Sequence, residues 1–288
     1  MALETITRQF VGPLGKLAFA GPVACVYHPL EYAWDVHRQW LERYGHGRKE
    51  ALFVGMNPGP FGMVQTGVPF GEVEAVRSFL GLSGEVKRPV HEHPDRPVLG
   101  FACERSEISG KRLWGWAAHR FVTPGRFLRR FFVHNYCPLA FVADSGANLT
   151  PDKLPSKATQ ELYRLCDRLL AQTVEALRPS LVIGVGAFAE QQAKRVIGEG
   201  KGCALAAFRI RAPRARSQTA AGSRWWTRRC RRWASRSDAG LLHCAAPSPR
   251  TKAPCPTLRS SASTAPTRIL TTRARGRALR RAAARDRA

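Results

Sequence analysis

The sequence predicts an α/β protein: a three-layer sandwich with a mostly parallel central sheet, followed by an arginine-rich tail. Short apolar runs at 51–56, 98–102, 131–134 and 180–185 have the length of buried strands. Segments with helical spacing alternate with these runs along the chain. Strands that alternate with helices imply parallel pairing, because each helix returns the chain to the same end of the sheet.

The elements follow in order from the spacing of apolar residues. We expect residues 1–20 to be a loosely ordered terminus and residues 21–200 to form the α/β domain. Apolar residues recur with helical spacing in four segments, which are 31–44, 72–82, 156–177 and 187–197. The prolines between residues 89 and 97 indicate a loop.

Positive charge is concentrated in residues 201–288. This tail has 22 Lys and Arg residues against Asp238 and Asp286, a net charge of +20, whereas residues 1–200 have 24 against 19 acidic residues, a net charge of +5. The tail shows no sustained apolar period, so we expect disorder. The tail is either a nucleic-acid-binding arm, because dense arginine neutralises phosphates, or the product of GC-rich DNA translated out of frame. We favour the out-of-frame interpretation. In the second case the sheet would lack its last strand.

The eight cysteines include no Cys-x-x-Cys pair, which argues against a zinc site or an iron–sulfur cluster. Neither a signal peptide nor an apolar run of membrane-spanning length is present. We therefore expect an intracellular protein with reduced thiols, no metal site and no membrane partner.

The residues after the 51–56 run form the most informative segment. Gly55-Met-Asn-Pro-Gly-Pro-Phe-Gly-Met63 is a stiff turn in which Asn57 is the one hydrogen-bonding side chain. Such a turn at the carboxyl end of a strand is where open α/β sheets bind ligands. A phosphate cradle is the weaker interpretation, because the turn lacks the Lys and Ser/Thr of a P-loop and its prolines remove backbone donors.

Three segments in this order resemble the single-strand-selective monofunctional uracil-DNA glycosylases. They are Gly55 to Met63, Gly67-Val-Pro-Phe-Gly-Glu72 and Phe132-Val-His-Asn-Tyr-Cys-Pro-Leu139, supported by Glu31-Tyr-Ala-Trp34 and Leu181-Val-Ile-Gly-Val-Gly186. The resemblance extends from about residue 21 to about residue 197. It implies a three-layer α/β fold and hydrolysis of the bond between base and sugar without metal or cofactor.

The resemblance implies three principal site residues. Asn57 would orient the attacking water, although an Asn in a turn often bonds only its own backbone. Phe70 would stack on the flipped base, where a core Phe is the plain alternative. Asn135 would pair with the uracil edge, since an amide offers one donor and one acceptor to O4 and N3–H, whereas cytosine presents the reverse.

Further residues of the first motif would shape the space around the base. Gly59 and Met63 match the positions around uracil C5, which in the family admit 5-hydroxymethyluracil and exclude thymine. Met63 alone could equally be core filler. Met56 and Phe61 complete the expected substrate-binding set.

The last motif of the family is split in this chain. The family pattern Gly-Leu-Leu-His-Pro-Ser-Pro-Arg supplies a His for uracil O2 and a loop that wedges into the duplex. Here Gly240-Leu-Leu-His243 is separated from Pro247-Ser248-Pro249-Arg250 by Cys244-Ala-Ala246. Either His243 is the catalytic His beside an altered wedge loop, which we prefer, or the match is fortuitous.

The resemblance thus implies a monofunctional glycosylase for uracil and oxidised 5-substituted uracils that initiates base-excision repair. Its partners would be single- and double-stranded DNA, and it would be a monomer in the nucleus of a eukaryote or the cytoplasm and nucleoid of a bacterium. No lysine occupies a matched catalytic position, so no strand cleavage is expected. The alternative is a DNA-binding relative that has lost the catalytic His and the wedge.

Overall fold

The computed structural model describes residues 1–198 and 204–208, in which strands and helices alternate. The strands are β1 (Val23–Tyr27), β2 (Ala51–Gly55), β3 (Phe131–Asn135), β4 (Ala140–Ala143), β5 (Asn148–Leu149), β6 (Leu181–Val185) and β7 (Ala204–Phe208). The helices are α1 (Leu3–Gly15), α2 (Pro29–Tyr32), α3 (Trp34–Tyr44), α4 (Met63–Thr66), α5 (Ile108–Phe121), α6 (Pro124–Leu128), α7 (Ser156–Leu177) and α8 (Ala187–Ile197).

The central sheet is parallel and has the strand order β3-β2-β6-β7. A smaller antiparallel sheet has the order β1-β4-β5. The predicted class is therefore confirmed, and so are the strand predictions at 51–56, 131–134 and 180–185. In the central sheet Gly55 lies opposite Asn135, so β2 and β3 end side by side.

Aromatic side chains cover the β3 edge of the central sheet. Successive residues of a strand point to opposite faces. Phe132 stacks on Trp40 of α3, with ring centroids 5.0 Å apart, and Phe131 contacts Phe127 of α6 at 5.2 Å. Trp114 of α5 contacts both Trp40 and Phe127, so it joins the two faces around the edge. These buried rings anchor β3, and with it the position of Asn135.

The expectation of a loose N-terminus is wrong. Helix α1 buries Leu3, Ile6, Phe10 and Leu14, and it packs against α3 and α7. These residues recur every three to four positions, the spacing that places them on one helical face. Burial of four large apolar side chains offsets the entropy cost of ordering the terminus.

Three other predictions need correction. Residues 98–102 are not a strand but lead into a 3₁₀ turn at Gly100–Ala102, because Leu99 and Gly100 donate their N–H groups to the buried Gln65 side chain. The predicted helix at 72–82 contains a π-helical turn at Ala75–Phe79. The helix predicted at 31–44 is divided into α2 and α3 at Ala33. The helices predicted at 156–177 and 187–197 are confirmed.

Strand β7 contradicts the expectation that the sheet lacks its last strand. Its five residues pair in parallel with the whole of β6, from Leu181 opposite Ala204 to Val185 opposite Phe208. This strand lies in the range that we assigned to the tail, so the sheet extends beyond residue 200. The remaining tail predictions, for 199–203 and 209–288, lie outside the described residues.

Candidate functional site

The two most informative motifs meet at the carboxyl edge of the central sheet. Beyond the strand ends the pairing continues: Tyr136 N–H donates to the Gly55 carbonyl and Cys137 N–H to the Met56 carbonyl, both at 2.9 Å. The Asn57 amide then donates from Nδ2 to the Leu139 carbonyl at 3.3 Å. Asn57 is half-buried, and among the described residues its Oδ1 has no donor, so this oxygen is available to a ligand or water.

Phe70 and Asn135 converge on Gly55. A Cβ at Gly55 would lie 2.5 Å from Asn135 Oδ1, 2.6 Å from Phe70 Cε2 and 2.7 Å from Phe70 Cζ. Only a glycine allows these side chains to approach the backbone so closely. The result is a flat aromatic ring beside a buried amide, both next to the turn that carries Asn57.

The backbone of Phe70 is held in a costly conformation. Its φ of 56° lies in the left-handed region, which a non-glycine residue adopts only when its surroundings enforce it. Trp114 Nε1 and the Glu72 N–H both donate to the Phe70 carbonyl at 2.8 Å. Thr66 Oγ1 donates to the Gly71 carbonyl at 2.9 Å. The ring is therefore positioned by its own loop before any ligand binds.

Asn135 is buried and has a weak partner. The residue is 4% exposed, and its Nδ2 lies 3.3 Å from the Met63 sulfur. A thioether is a poor acceptor, so a ligand oxygen could replace it. The next residue is fixed from behind: Tyr136 Oη donates to Asp167 on α7 at 2.7 Å, and Arg195 on α8 pairs with the same carboxylate. The anchoring of Tyr136 to α7 and α8 thus limits the movement of Asn135.

The other expected substrate-binding residues line the same turn. Met56 and Gly59 are half-buried, and the Gly59 carbonyl accepts the N–H groups of Gly62 and Val64 at 3.1 and 3.2 Å. Met63 is buried and contacts Asn135. Phe61 is half-buried, and its ring lies under the guanidinium groups of Arg105 and Arg96.

Two residues missed in the sequence support this turn. Glu107 accepts the N–H groups of Ser109 and Gly110 at 3.1 and 2.8 Å, which caps α5, and a Cβ at Gly62 would lie 2.9 Å from its Cγ. Burial raises the pKa of Glu107. Gln65 donates to the Pro60 and Pro97 carbonyls at 2.9 and 3.1 Å. Glu is not among the favoured N-cap residues, so the sequence carried no signal for this cap.

His134 lies on β3 beside Asn135 and is buried. Burial lowers its pKa to about 3, so the ring is neutral at neutral pH. Within the described residues its Nε2 has no hydrogen-bond partner. Ser109, Gly110 and Arg112 belong to α5.

Some expected features cannot be placed. His243 and Pro247, Ser248, Pro249 and Arg250 lie outside the described residues. Across residues 1–198 and 204–208, no group of three or more His, Cys, Asp or Glu side chains could hold a metal ion. No helix in that part of the chain combines the length and apolar character needed to cross a membrane.

Comparison with known proteins adds to this geometry. The model of the Uracil DNA glycosylase superfamily matches residues 42–260, a range that includes Asn57, Phe70, Asn135 and His243. The chain is 53% identical over 184 residues to the single-strand selective monofunctional uracil DNA glycosylase of Mus musculus, and this alignment covers 64% of this chain and 66% of the relative. The Bos taurus relative of the same name is 52% identical over 184 residues, and that alignment covers 64% of this chain and 68% of the relative. The chain thus spans just under two thirds of the mouse relative.

A solved structure has a similar fold. The crystal structure of wild-type Pedobacter heparinus SMUG2 superposes with a TM-score of 0.55 at 18% identity, and covers 82% of this chain and 98% of that one. At this level of identity the similarity concerns the α/β fold alone.

Proposed function

Because this chain belongs to the uracil-DNA glycosylase superfamily, we propose that it is a monofunctional glycosylase that hydrolyses the bond between uracil and deoxyribose in DNA. One observation carries the proposal: the Phe70 ring and the Asn135 amide converge on Gly55, beside the turn that bears Asn57. A flat base flipped out of the stack finds there an aromatic surface and a polar edge reader.

Asn135 supplies the choice of base. Its Nδ2 donates to uracil O4 in place of the Met63 sulfur, and its Oδ1 accepts N3–H. Cytosine offers a donor and an acceptor in the reverse order, so it leaves both amide atoms unsatisfied. Desolvated, unpaired polar groups cost about 1–3 kcal/mol each, which disfavours cytosine.

Asn57 positions the nucleophile. Its Nδ2 is occupied by the Leu139 carbonyl, which leaves Oδ1 to accept a hydrogen bond from water. The water oxygen bonds to the anomeric carbon as the bond from that carbon to uracil N1 breaks, and the bonding pair leaves with the base. The proton of the water neutralises the uracil anion through solvent. The products are free uracil and an abasic site, and neither a metal nor a cofactor takes part.

His243 is proposed to donate to uracil O2 as charge develops there, and Pro247 to Arg250 to fill the gap left by the flipped base. The extension of the family match to residue 260 supports this assignment. Gly59 and Met63 are proposed to shape the space around C5, so that 5-hydroxymethyluracil is a further substrate, and Met56 and Phe61 are proposed to complete the substrate-binding set.

The cellular role follows from this chemistry. We propose that the protein initiates base-excision repair on single- and double-stranded DNA, as a monomer located where DNA is. That place is the nucleus in a eukaryote, and the cytoplasm and nucleoid in a bacterium.

A cleavage assay tests the proposal. The full chain is incubated with a single-stranded oligonucleotide that contains one uracil, and abasic sites are revealed by alkali. We expect cleavage by the wild type and by Asn148→Ala, an exposed Asn on β5 that serves as the control. Asn57→Ala should lose most turnover while it still binds the oligonucleotide. Trapping of a covalent adduct with borohydride would contradict the hydrolytic mechanism.

The second candidate is a DNA-binding relative without turnover. The three residues that separate Gly240-Leu-Leu-His243 from Pro247 favour it, because they alter the loop directly after the His. Binding of uracil-containing DNA without any release of uracil would support this candidate over the enzyme.

A further inference from the structure

Two arginines at the rim of the site, Arg96 and Arg105, have no role in the function proposed above. The Arg105 guanidinium carbon is 4.0 Å from the centroid of the Phe61 ring, and that of Arg96 is 5.7 Å from the same centroid. Arg105 is exposed, whereas Arg96 and Phe61 are half-buried. Bringing two positive charges to one ring is unfavourable unless an anion compensates them.

The described part of the chain provides no such anion. Within residues 1–198 neither guanidinium forms an ion pair with a carboxylate. Arg96 donates from Nη1 to the Asp95 carbonyl at 3.1 Å, and its Nε is buried without a partner among the described residues, which leaves Nη2 as its donor toward solvent. The Asp95 carboxylate is turned toward Gly146, where a Cβ would lie 3.2 Å from Oδ2. Both arginines therefore keep unused donors.

The pair is held in place by buried contacts. Gln65 donates to the carbonyls of Pro60 and Pro97, which fixes the residue before Phe61 and the residue after Arg96 to one side chain. The Arg96 carbonyl accepts the Tyr27 hydroxyl at 2.5 Å. On the other side, Ser106 next to Arg105 donates to Glu72 at 2.8 Å. Both backbones are therefore fixed relative to the Asn57 turn.

The position of the pair indicates the class of anion. The segment from Gly55 to Phe70 contains no Lys, Arg, Asp or Glu, so the turn that receives the base cannot neutralise phosphate by itself. Phe61 follows Asn57 by four residues, which span at most about 14 Å. A DNA strand that places a base against Phe70 carries phosphates on both sides of that base.

We propose that Arg96 and Arg105, stacked on Phe61, form a binding site for the DNA phosphodiester backbone next to the flipped nucleotide. This inference rests on the proposed function, because it assigns the backbone contact of the same site. Guanidinium groups suit it, since their forked donors match phosphate oxygens and their flat faces stack on aromatic rings.

The test measures binding rather than turnover, so it can succeed or fail independently of glycosylase activity. Affinity of the full chain for a uracil-free single-stranded 12-mer is measured by fluorescence anisotropy between low and moderate salt. The charged tail contributes equally in every variant, so differences between variants report on the pair. Arg96→Ala and Arg105→Ala should each reduce the slope of log K against log salt by about 0.7, the value for one phosphate contact on a single strand.

The control is Arg8→Ala, because Arg8 is likewise exposed and stacked on a ring, Trp34, at 4.6 Å. Its slope should equal that of the wild type, and the difference between wild type and the pair variants should vanish on a 12-mer with an uncharged methylphosphonate backbone. Slopes for the pair variants that match Arg8→Ala would overturn the proposal.

Discussion

At Asn135 the choice between an amide and a carboxylate determines which base the site can hold. Asn135→Asp keeps the size of the side chain but loses the donor that now faces the Met63 sulfur at 3.3 Å. We expect kcat/KM on uracil to fall by about tenfold to a hundredfold, the cost of one unpaired polar group, and selectivity over cytosine to weaken. Steady-state kinetics on two oligonucleotides that differ only in uracil or cytosine at one position measure kcat/KM and the selectivity. An unchanged ratio would mean that another group reads the base, and the exposed Asn148→Asp is the control.

The lack of a side chain at Gly55 lets Phe70 and Asn135 approach the backbone. In Gly55→Ala the added methyl would meet Asn135 and Phe70 at 2.5–2.7 Å, so the ring or the amide must move. The Phe70 backbone is held by Trp114, so we expect the ring to turn into the base position and turnover to fall by at least about tenfold. Gly115→Ala on α5 is the matched control, since a Cβ there has open space. Equal activity of the two variants would disprove the close approach.

At the scale of elements, α5 and the Asn57 turn share one carboxylate. Glu107→Ala removes the cap of α5 and also the support beneath Gly59 and Gly62. We expect a loss of about 1 kcal/mol in the free energy of unfolding, or roughly 2–4 °C in Tm, together with a fall in turnover. Thr123→Ala, which removes the cap of α6 away from the site, should cost a similar stability with turnover intact. Loss of turnover in both variants would point to general destabilisation.

Several elements could be predicted from the sequence, because their apolar patterns are local. β2, β3 and β6 are short apolar runs, and α7 and α8 repeat with a clear helical period. The apolar run at 98–102 was wrongly predicted as a strand, because its backbone N–H groups bind the side chain of Gln65, more than thirty residues away, instead of a neighbouring strand. Helix α5 was missed because Gly110 and Gly115 interrupt its pattern. The spacing of Leu3, Ile6, Phe10 and Leu14 did carry the signal of α1, and only its terminal position argued against it.

For the site, too, the sequence predicted the residues that belong to local motifs and missed those that depend on contacts between distant segments. Asn57, Phe70 and Asn135 were identified by motif, and the structure brings all three to one edge of the sheet. Glu107 and Gln65 could not be found that way, since their contacts with Gly62, Pro60 and Pro97 exist only after the chain has folded. The role of each site residue remains a prediction for the assays above.

For the whole molecule, two buried imidazoles imply sensitivity to acid. Burial lowers the pKa of His37 to about 4 and that of His134 to about 3, against 6.5 for an ordinary His. The unfolded chain therefore binds protons below pH 6.5 that the folded chain refuses until about pH 4. Stability is lost as pH falls through this window, by about 3 kcal/mol from His37 alone. Glu107, whose pKa burial raises, acts in the opposite direction.

Denaturant unfolding at pH 7 and pH 4.5 measures this loss. His37 Nδ1 lies 2.6 Å from the Gly67 carbonyl, and the amide of His37→Asn can keep this hydrogen bond without titrating. We expect a smaller difference between the two pH values in this variant. An unchanged difference would assign the acid sensitivity to other groups.

The Gln65 amide has a consequence for the timing of motion at the site. Its oxygen holds the N–H groups of Leu99 and Gly100 at 2.8 and 3.1 Å, while its nitrogen holds Pro60 beside Phe61. These two amide hydrogens can exchange with deuterium from solvent only when their hydrogen bonds to Gln65 break, and the turn then loses the support of Gln65 as well. Their exchange rate therefore reports how often the turn opens, and it can be measured in the full chain without substrate. A ligand that holds the turn closed should slow amide exchange at Leu99 and Gly100, more than forty residues along the chain from Asn57.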